Sequence, residues 1–308
     1  MTLGILGSMV WDRIEHPDAP VVDRWGGIAY SLAAGAAALP AGWRIRPLIK
    51  LGEDLADAAR AFLKSIPGLE LGGGLARTPH PNNRVHLRYR DRHQRSEFLT
   101  GGVPAWAWEE LEPRIAGLDA LYVNFISGFE LDLRTAGRLR DAIPGLLYAD
   151  FHSLLLAVGD VGARRPRPLP DRDAWVRAFD VVQVNEGELR LVAGSDPPLD
   201  FARAAVQHGP GALLITRGPE GATWIARGGA AAPWRETGPV EVRDAPLERA
   251  WPGSDPTGCG DVWGATCFVR LVLGDPLDAA VRAANRAAAR NVAHRGADGL
   301  FDHLKGEA

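Results

Sequence analysis

Apolar and polar positions along this chain fall into short blocks of two different periods. Strand-like apolar runs recur at Leu3–Leu6, Leu118–Phe125, Gly145–Ala149, Val181–Val184 and Ala212–Thr216. Helical spacing covers Ala29–Leu39, Asp54–Ile66, Ala105–Ile115, Leu133–Ala142, Arg172–Ala178, Glu186–Ala193, Phe201–Gln207, Val262–Gly274 and Leu277–His294. Alternation of this kind predicts an α/β fold, a mainly parallel sheet covered by helices. The segment Asn83–Gly102 breaks the alternation: Arg84, His86, Arg88 and Arg90 occupy one parity, Val85, Leu87 and Tyr89 the other. Period two predicts a strand. A second strand, Arg95–Thr100, follows the turn Arg92-His93-Gln94, and this hairpin together with Asp12–Trp25 predicts a small lid. The cationic parity reads as solvated edge positions that discourage sheet pairing.

Composition narrows the partners. With 308 residues, 46% of them hydrophobic, the chain can bury a sizeable core. A net charge of −3 and a pI near 6.3 give no electrostatic reason to expect nucleic acid or an anionic membrane, so a small-molecule ligand is the better expectation. Cys259 and Cys267 form no Cys-x-x-Cys pair, which suits a reduced, cytoplasmic protein without structural zinc. Met1–Val10 is apolar but too short for a membrane span and carries no basic leader. Neither a Gly-x-Ser-x-Gly elbow nor a Gly-x-x-x-x-Gly-Lys-Ser/Thr loop is present, which counts against hydrolase and P-loop readings.

The richest stretch chemically is Asp255-Pro256-Thr257-Gly258-Cys259-Gly260-Asp261, a glycine-rich turn set before a helical run. The first N–H groups of a helix have no internal partner and attract anions. Gly258 and Gly260 let backbone approach a phosphate, and the Asp261 carboxylate can take a proton from a hydroxyl. A capped helix with a turn explains the same residues without a ligand. Asn185 and Glu188, at the end of an apolar run, suit either a helix start or the outer shell of Mg²⁺. Thr216 and Gly218 can meet a phosphate, whereas Arg217 either pairs with it or faces solvent. Gly26 and Gly27 admit a ligand close to backbone or simply turn a strand into a helix. Asn124, Ser127, Asp150 and His152 fall where strands end, the edge at which open α/β sheets bind ligands. His152 alone reads as a hydrogen-bonded structural residue.

Taken in order, these segments resemble the ribokinase-like family, the PfkB carbohydrate kinases, across nearly the whole chain. The family's Asp-Thr-x-Gly-Ala-Gly-Asp pattern stands here as Asp255–Asp261, with Pro256 and Cys259 as departures. The resemblance implies a single three-layer domain over 1–308, with a mainly parallel central sheet and a small β lid at about 12–25 and 83–102. It implies ATP-dependent transfer of a phosphoryl group to a hydroxyl of a sugar or sugar-like molecule. Asp261 is then the general base, and the amides of Gly258, Cys259 and Gly260 form the anion hole. Asn185 and Glu188 organise Mg²⁺ through water, while Thr216, Arg217, Gly218, Gly221 and Thr257 lie beside the nucleotide. Asn285, Ala288 and Val292 line its adenine; Asp12, Gly26, Gly27 and Ser31 hold the sugar, although Ser31 stands where many members carry Asn. Some relatives hold a monovalent cation near Asp255 and Thr257, so potassium enters as a further expectation. The lid hairpin offers a homodimer contact, or its arginines keep the chain single. Competing readings are a nucleoside kinase with Trp11, Trp25, Tyr30 and Tyr89 stacking on a base, and a binding protein without turnover. A nicotinamide oxidoreductase, resting on Gly4-Ile5-Leu6-Gly7, lacks the full glycine pattern.

Overall fold

In the computed structural model, residues 1–17, 19–89, 95–228, 238–249 and 255–305 are described. The strands are β1 (Thr2–Leu6), β2 (Met9–His16), β3 (Ala19–Gly27), β4 (Arg44–Gly52), β5 (Leu75–Thr78), β6 (Arg84–Tyr89), β7 (Arg95–Thr100), β8 (Ala120–Asn124), β9 (Leu147–Asp150), β10 (Leu156–Val158), β11 (Arg164–Pro166), β12 (Val181–Asn185), β13 (Ala212–Thr216), β14 (Ala222–Arg227) and β15 (Val240–Ala245). The helices are α1 (Ile28–Ala38), α2 (Ala56–Lys64), α3 (Trp108–Ile115), α4 (Leu133–Ala142), α5 (Arg172–Arg177), α6 (Glu186–Ala193), α7 (Pro198–His208), α8 (Cys259–Val272), α9 (Leu277–Asn291) and α10 (Leu300–Lys305).

Nine strands form one sheet in the order β15-β14-β13-β12-β9-β8-β1-β4-β5, parallel except where β14 pairs with β13 and β15. Strands buried on both faces are apolar at consecutive positions, and here the two parities sort cleanly. Leu3, Ile5, Tyr122, Tyr148, Val181 and Leu214 enter one core with residues of α1, α8 and α9. Leu6, Leu121, Val123, Leu147, Val182 and Leu213 enter the other, with α3 to α7. Three layers follow from that division. Strand β4 was not foreseen, because Arg44, Arg46, Pro47 and Lys50 interrupt its apolar run. Lys50 is buried nonetheless, its ammonium donating to the Ala105 carbonyl at 2.7 Å and to Glu110 at 2.6 Å.

A second sheet, β3-β2-β6-β7, forms the lid. Registers Asp12↔Val85 and Val85↔Leu99 place Asp12, Val85, Leu87, Glu97 and Leu99 on one face and Trp11, Arg13, Arg84, His86 and Phe98 on the other. The expected parity split holds, but its explanation changes. β6 lies between β2 and β7, so its cations are not edge guards; Arg84 pairs with Asp54, and Arg88 and His86 with Glu15. The expected turn Arg92-His93-Gln94 lies outside the described residues. No described helix is long and apolar enough to cross a membrane.

Candidate active site

The carboxyl ends of β8, β9, β12 and β13 present Asn124, Asp150, Asn185 and Thr216 beneath the inner face of the lid. Between them lies a cleft of about 350 Å³, lined by Asp12, Gly27, Tyr30, Val85, Leu87, Glu97, Asp150, His152, Arg164, Asn185, Glu188, Thr216, Gly218, Thr257, Gly258, Gly260 and Asp261 among others. A larger concavity of about 600 Å³ lies on the lid's outer face, among Trp11, Arg13, His86 and Arg88. It contains none of the glycine-rich turn.

Helix α8 starts at that turn because Gly258 has φ 77°, a conformation that side chains disfavour, and because a Cβ there would come within 2.3 Å of the Tyr30 ring. The first intrahelical bond runs from Val262 N–H to the Gly258 carbonyl. The amides of Gly260 and Asp261 therefore precede the ladder. Cys259 departs from expectation: its N–H donates to the Pro256 carbonyl at 3.2 Å, so it closes the turn instead of facing an anion.

Asp261 is held by Asn124, whose Nδ2 donates to Oδ1 at 2.7 Å. Burial raises its pKa to about 6 against the opposing pull of the His152 charge and the Asn124 hydrogen bond. It is thus a stronger base than an ordinary carboxylate and still largely ionised at neutral pH. Beside it, Asp150 is buried and driven well above its usual range by desolvation and then by Glu188. Gln183 donates to Asp150 at 2.8 Å and to the Gly260 carbonyl at 3.2 Å, tying β9 to the turn.

At the start of α6, Asn185 and Glu188 form a reciprocal capping box: Asn185 Oδ1 accepts from Glu188 N–H at 2.9 Å, and Glu188 Oε2 accepts from Asn185 N–H at 2.8 Å. The helix-start reading is therefore met, and the same two residues also line the cleft. Glu188 Oε1 meets His152 Nδ1 at 2.9 Å. Desolvation lowers the His152 pKa, but the bond and charge of Glu188 outweigh it and raise it to about 9, although 43% of the side chain remains open to solvent. His152 is a cation within the cleft.

Asp12 is buried under the lid and seated on Gly26, where a Cβ would overlap its carboxylate at 1.8 Å. Ser31 corrects an expectation. It is fully buried below the cleft, its Oγ accepting from Asn124 at 2.9 Å and donating to the Asp261 carbonyl at 3.4 Å, so it buttresses Asp261. Asn285 lies outside the cleft lining: its amide accepts from Trp263 at 2.8 Å and donates to the Ala245 carbonyl at 2.9 Å. The Ala288 carbonyl accepts from the Cys259 thiol. Arg217 turns to Glu220, Asp244 and Glu186, and Gly221 (φ 92°) packs its turn against the Ala245 carbonyl. None of these lines the cleft.

Sequence reasoning missed Gln183, Glu97 and Arg164. Gln183 had a signal, a lone polar residue inside the apolar run Val181–Val184; Glu97 shares its parity with the inward-facing Leu99. Arg164, on β11, had none. Its guanidinium is nearly buried, pairs with Glu97 at 2.5 Å and donates to the carbonyls of Ile126 and Ser127 at 2.7 and 2.6 Å, joining lid to body at the cleft wall.

A carboxylate at a helix start, a glycine-rich turn before it and a lid over the carboxyl edge of a parallel sheet define a ribokinase-like kinase fold. The family model described as "pfkB family carbohydrate kinase" matches residues 133–303, more than half of the chain, and the chain belongs to that family. It is a carbohydrate kinase. A pyrophosphate-dependent kinase in the ribokinase family aligns over 96% of both chains with a TM-score of 0.78 at 17% identity. Ribokinase from Thermotoga maritima aligns over 99% of this chain and 98% of its own, TM-score 0.73, 16% identity. Arabidopsis thaliana ribokinase, solved with ribose and ATP, covers 98% of each chain with a TM-score of 0.70 at 17% identity. No curated protein sequence matches significantly.

Proposed function

We propose that this kinase transfers the γ-phosphoryl group of ATP to a hydroxyl of a sugar or sugar-like small molecule. The observation carrying the proposal is that Asp261, the amides at the start of α8 and the buried carboxylate of Asp12 line one cleft. Asp12 accepts hydrogen bonds from acceptor hydroxyls and orients one of them toward Asp261. Asp261 takes the proton as the acceptor oxygen attacks phosphorus, and ADP leaves with the electron pair of the broken P–O bond. The N–H groups of Gly260 and Asp261, at the positive end of α8, meet the oxygens of the phosphoryl group in transit. Thr216, Gly218 and Thr257 flank the remaining phosphates.

The donor set suits a hydrated magnesium ion. Among the described residues no three His, Cys, Asp or Glu side chains gather as a direct ligand set; Glu188 and Asn185 line the cleft wall with oxygens that already accept from His152 and from each other's N–H groups, so they would hold an ion only through its waters. When bound, Mg²⁺ neutralises charge on the phosphates.

The nucleoside reading loses ground. Of the four aromatics expected to stack on a base, only Tyr30 lines the cleft; Trp11 lies on the outer face, and Trp25 packs edge-on to Trp11 and against Phe62. The test is a screen of sugars, polyols and nucleosides for ATP consumption, with pyrophosphate as a parallel donor because Asn285 and Ala288 do not reach the cleft. Turnover with a sugar or polyol supports the proposal. Turnover confined to nucleosides, or nucleotide binding without transfer to any acceptor, refutes it.

A further inference from the structure

Strand β3 of the lid carries Arg24 next to Asp12 in the ladder, on the face turned toward the cleft. Its guanidinium reaches the glycine-rich turn. Arg24 Nη2 lies 3.1 Å from Asp255 Oδ2, with only 11% of the arginine side chain and 22% of the aspartate exposed. The aliphatic part of Arg24 runs past Gly296, where a Cβ would stand 3.2 Å from Cδ. Two further oxygens of this corner accept from N–H donors, while the buried Asn291 Oδ1 has no hydrogen-bond partner among the described residues. Asp255 Oδ1 accepts from Thr257 N–H at 3.0 Å, and the Thr257 carbonyl accepts from Asn291 Nδ2 at 2.9 Å.

A potassium ion is held by carbonyl and carboxylate oxygens that replace its hydration shell. At Asp255 and Thr257 those oxygens face a guanidinium and two amides, and a permanent positive charge already sits against the carboxylate. The corner does not fit a second cation. Resting on the reading of this turn as the phosphoryl site, we propose that Arg24 is a tethered cation that takes the place of a monovalent ion, holds the turn in its anion-binding form, and frees the enzyme from potassium. Arginine suits the task, because its charge persists at every working pH and its planar fork fixes the carboxylate in direction. Since Arg24 belongs to the lid, the same contact makes lid placement and turn geometry a single structural state. Arg24 is thus a positioning residue.

The experiment compares the wild type with Arg24→Ala and Arg24→Lys in KCl and in tetramethylammonium chloride at equal ionic strength. Three quantities are read: kcat and KM for donor and acceptor, the unfolding temperature without substrates, and the binding of Tl⁺, a potassium surrogate, by its NMR signal. The wild type is expected to show the same kcat in both salts, no potassium-specific thermal shift and no Tl⁺ site. Arg24→Ala should lose at least tenfold in kcat without potassium, recover several-fold with it, and gain a saturable Tl⁺ site; Arg24→Lys should remain indifferent to potassium. If Arg24→Ala does not fold, Arg24→Gln replaces it. Saturable Tl⁺ binding or potassium activation in the wild type would overturn the proposal, as would an Arg24→Ala enzyme that loses activity but neither binds Tl⁺ nor responds to potassium. Tl⁺ binding and the unfolding temperature need no acceptor, so they decide the role of Arg24 even if the kinase assay finds none.

Discussion

The glycine-rich turn and the lid face the same ligand space with different materials. At the turn the wall is mostly backbone, Gly258 and Gly260 with the α8 amides, and its acidic side chain, Asp261, is held from β8 by Asn124. At the lid the wall is side chains on alternate strand positions, Asp12, Val85, Leu87 and Glu97. In the function proposed, a backbone wall recognises what every donor brings, the phosphoryl group, whichever acceptor receives it. A strand wall can change one inward residue without moving its neighbours, because the sheet's hydrogen bonds are independent of side-chain identity. Turnover should therefore depend on the turn, and acceptor choice on the inner face of the lid.

The largest effect should follow from Asp261→Asn. Loss of a general base costs about 10²–10⁴-fold, and here the fall should appear in kcat while nucleotide affinity, measured by titration, is kept. Stability moves the other way. Because the folded pKa of Asp261, about 6, exceeds its unfolded value, its ionised form penalises the native state above pH 6 and the penalty disappears as pH falls toward 4. Asp261→Asn should thus melt higher than wild type at pH 8 and level with it near pH 4. Near-normal kcat in the folded variant would remove Asp261 as the base. Next in size is Gly26→Ala, on the lid side. The added methyl meets the Asp12 carboxylate and displaces it, and a displacement of about 1 Å at a positioning group costs about 10²-fold. The loss should fall on kcat/KM for the acceptor, with the KM for ATP unchanged; equal loss for both substrates would erase the division of labour.

That division also separates what the sequence made legible from what it hid. The parallel sheet was readable because strands buried on both faces are apolar without a break, as in Ala212–Thr216. The turn was readable because a helix start built from backbone leaves its mark as glycines beside an acid. Residues that act through three-dimensional neighbours left weaker marks or none. Ser31 looked like a sugar contact by position, yet its Oγ is spent on Asn124 and the Asp261 carbonyl. Asn285 looked like an adenine contact, yet its amide joins α8 to β15. Arg164 opens the short strand β11, whose path to Glu97 depends on a bridge between Phe98 and Ala163, a contact that no local pattern encodes.

A smaller, graded effect should come from pH. As the proposed base, Asp261 works only when ionised, so kcat/KM should fall about tenfold per unit as pH drops below about 6. Burial sets that pKa high, and the His152 cation pulls it down. His152→Gln removes the pull, and the acid inflection of the pH–rate profile should move upward while the plateau rate changes less. An unmoved inflection would mean that His152 serves Glu188 alone.

The smallest effect should come from the outer face of the lid, which tests the comparison by exclusion. Arg88 stands one residue from Leu87 but on the opposite face, with 59% of its side chain exposed and its guanidinium 3.2 Å from Glu15. Exposed ion pairs contribute about 0–1 kcal/mol, since solvent screens the charges and ordering two long side chains costs entropy. Glu15 also keeps His86 as a partner at 3.0 Å. Arg88→Ala should therefore shift urea stability by less than about 1 kcal/mol and leave kcat, KM and the order of preferred acceptors unchanged. Leu87→Ala, by contrast, should alter KM and acceptor order, because Leu87 is buried against the cleft. If the two substitutions changed acceptor choice alike, the lid would act through its rigidity as a sheet, and the strand's two faces would have lost their separate meanings.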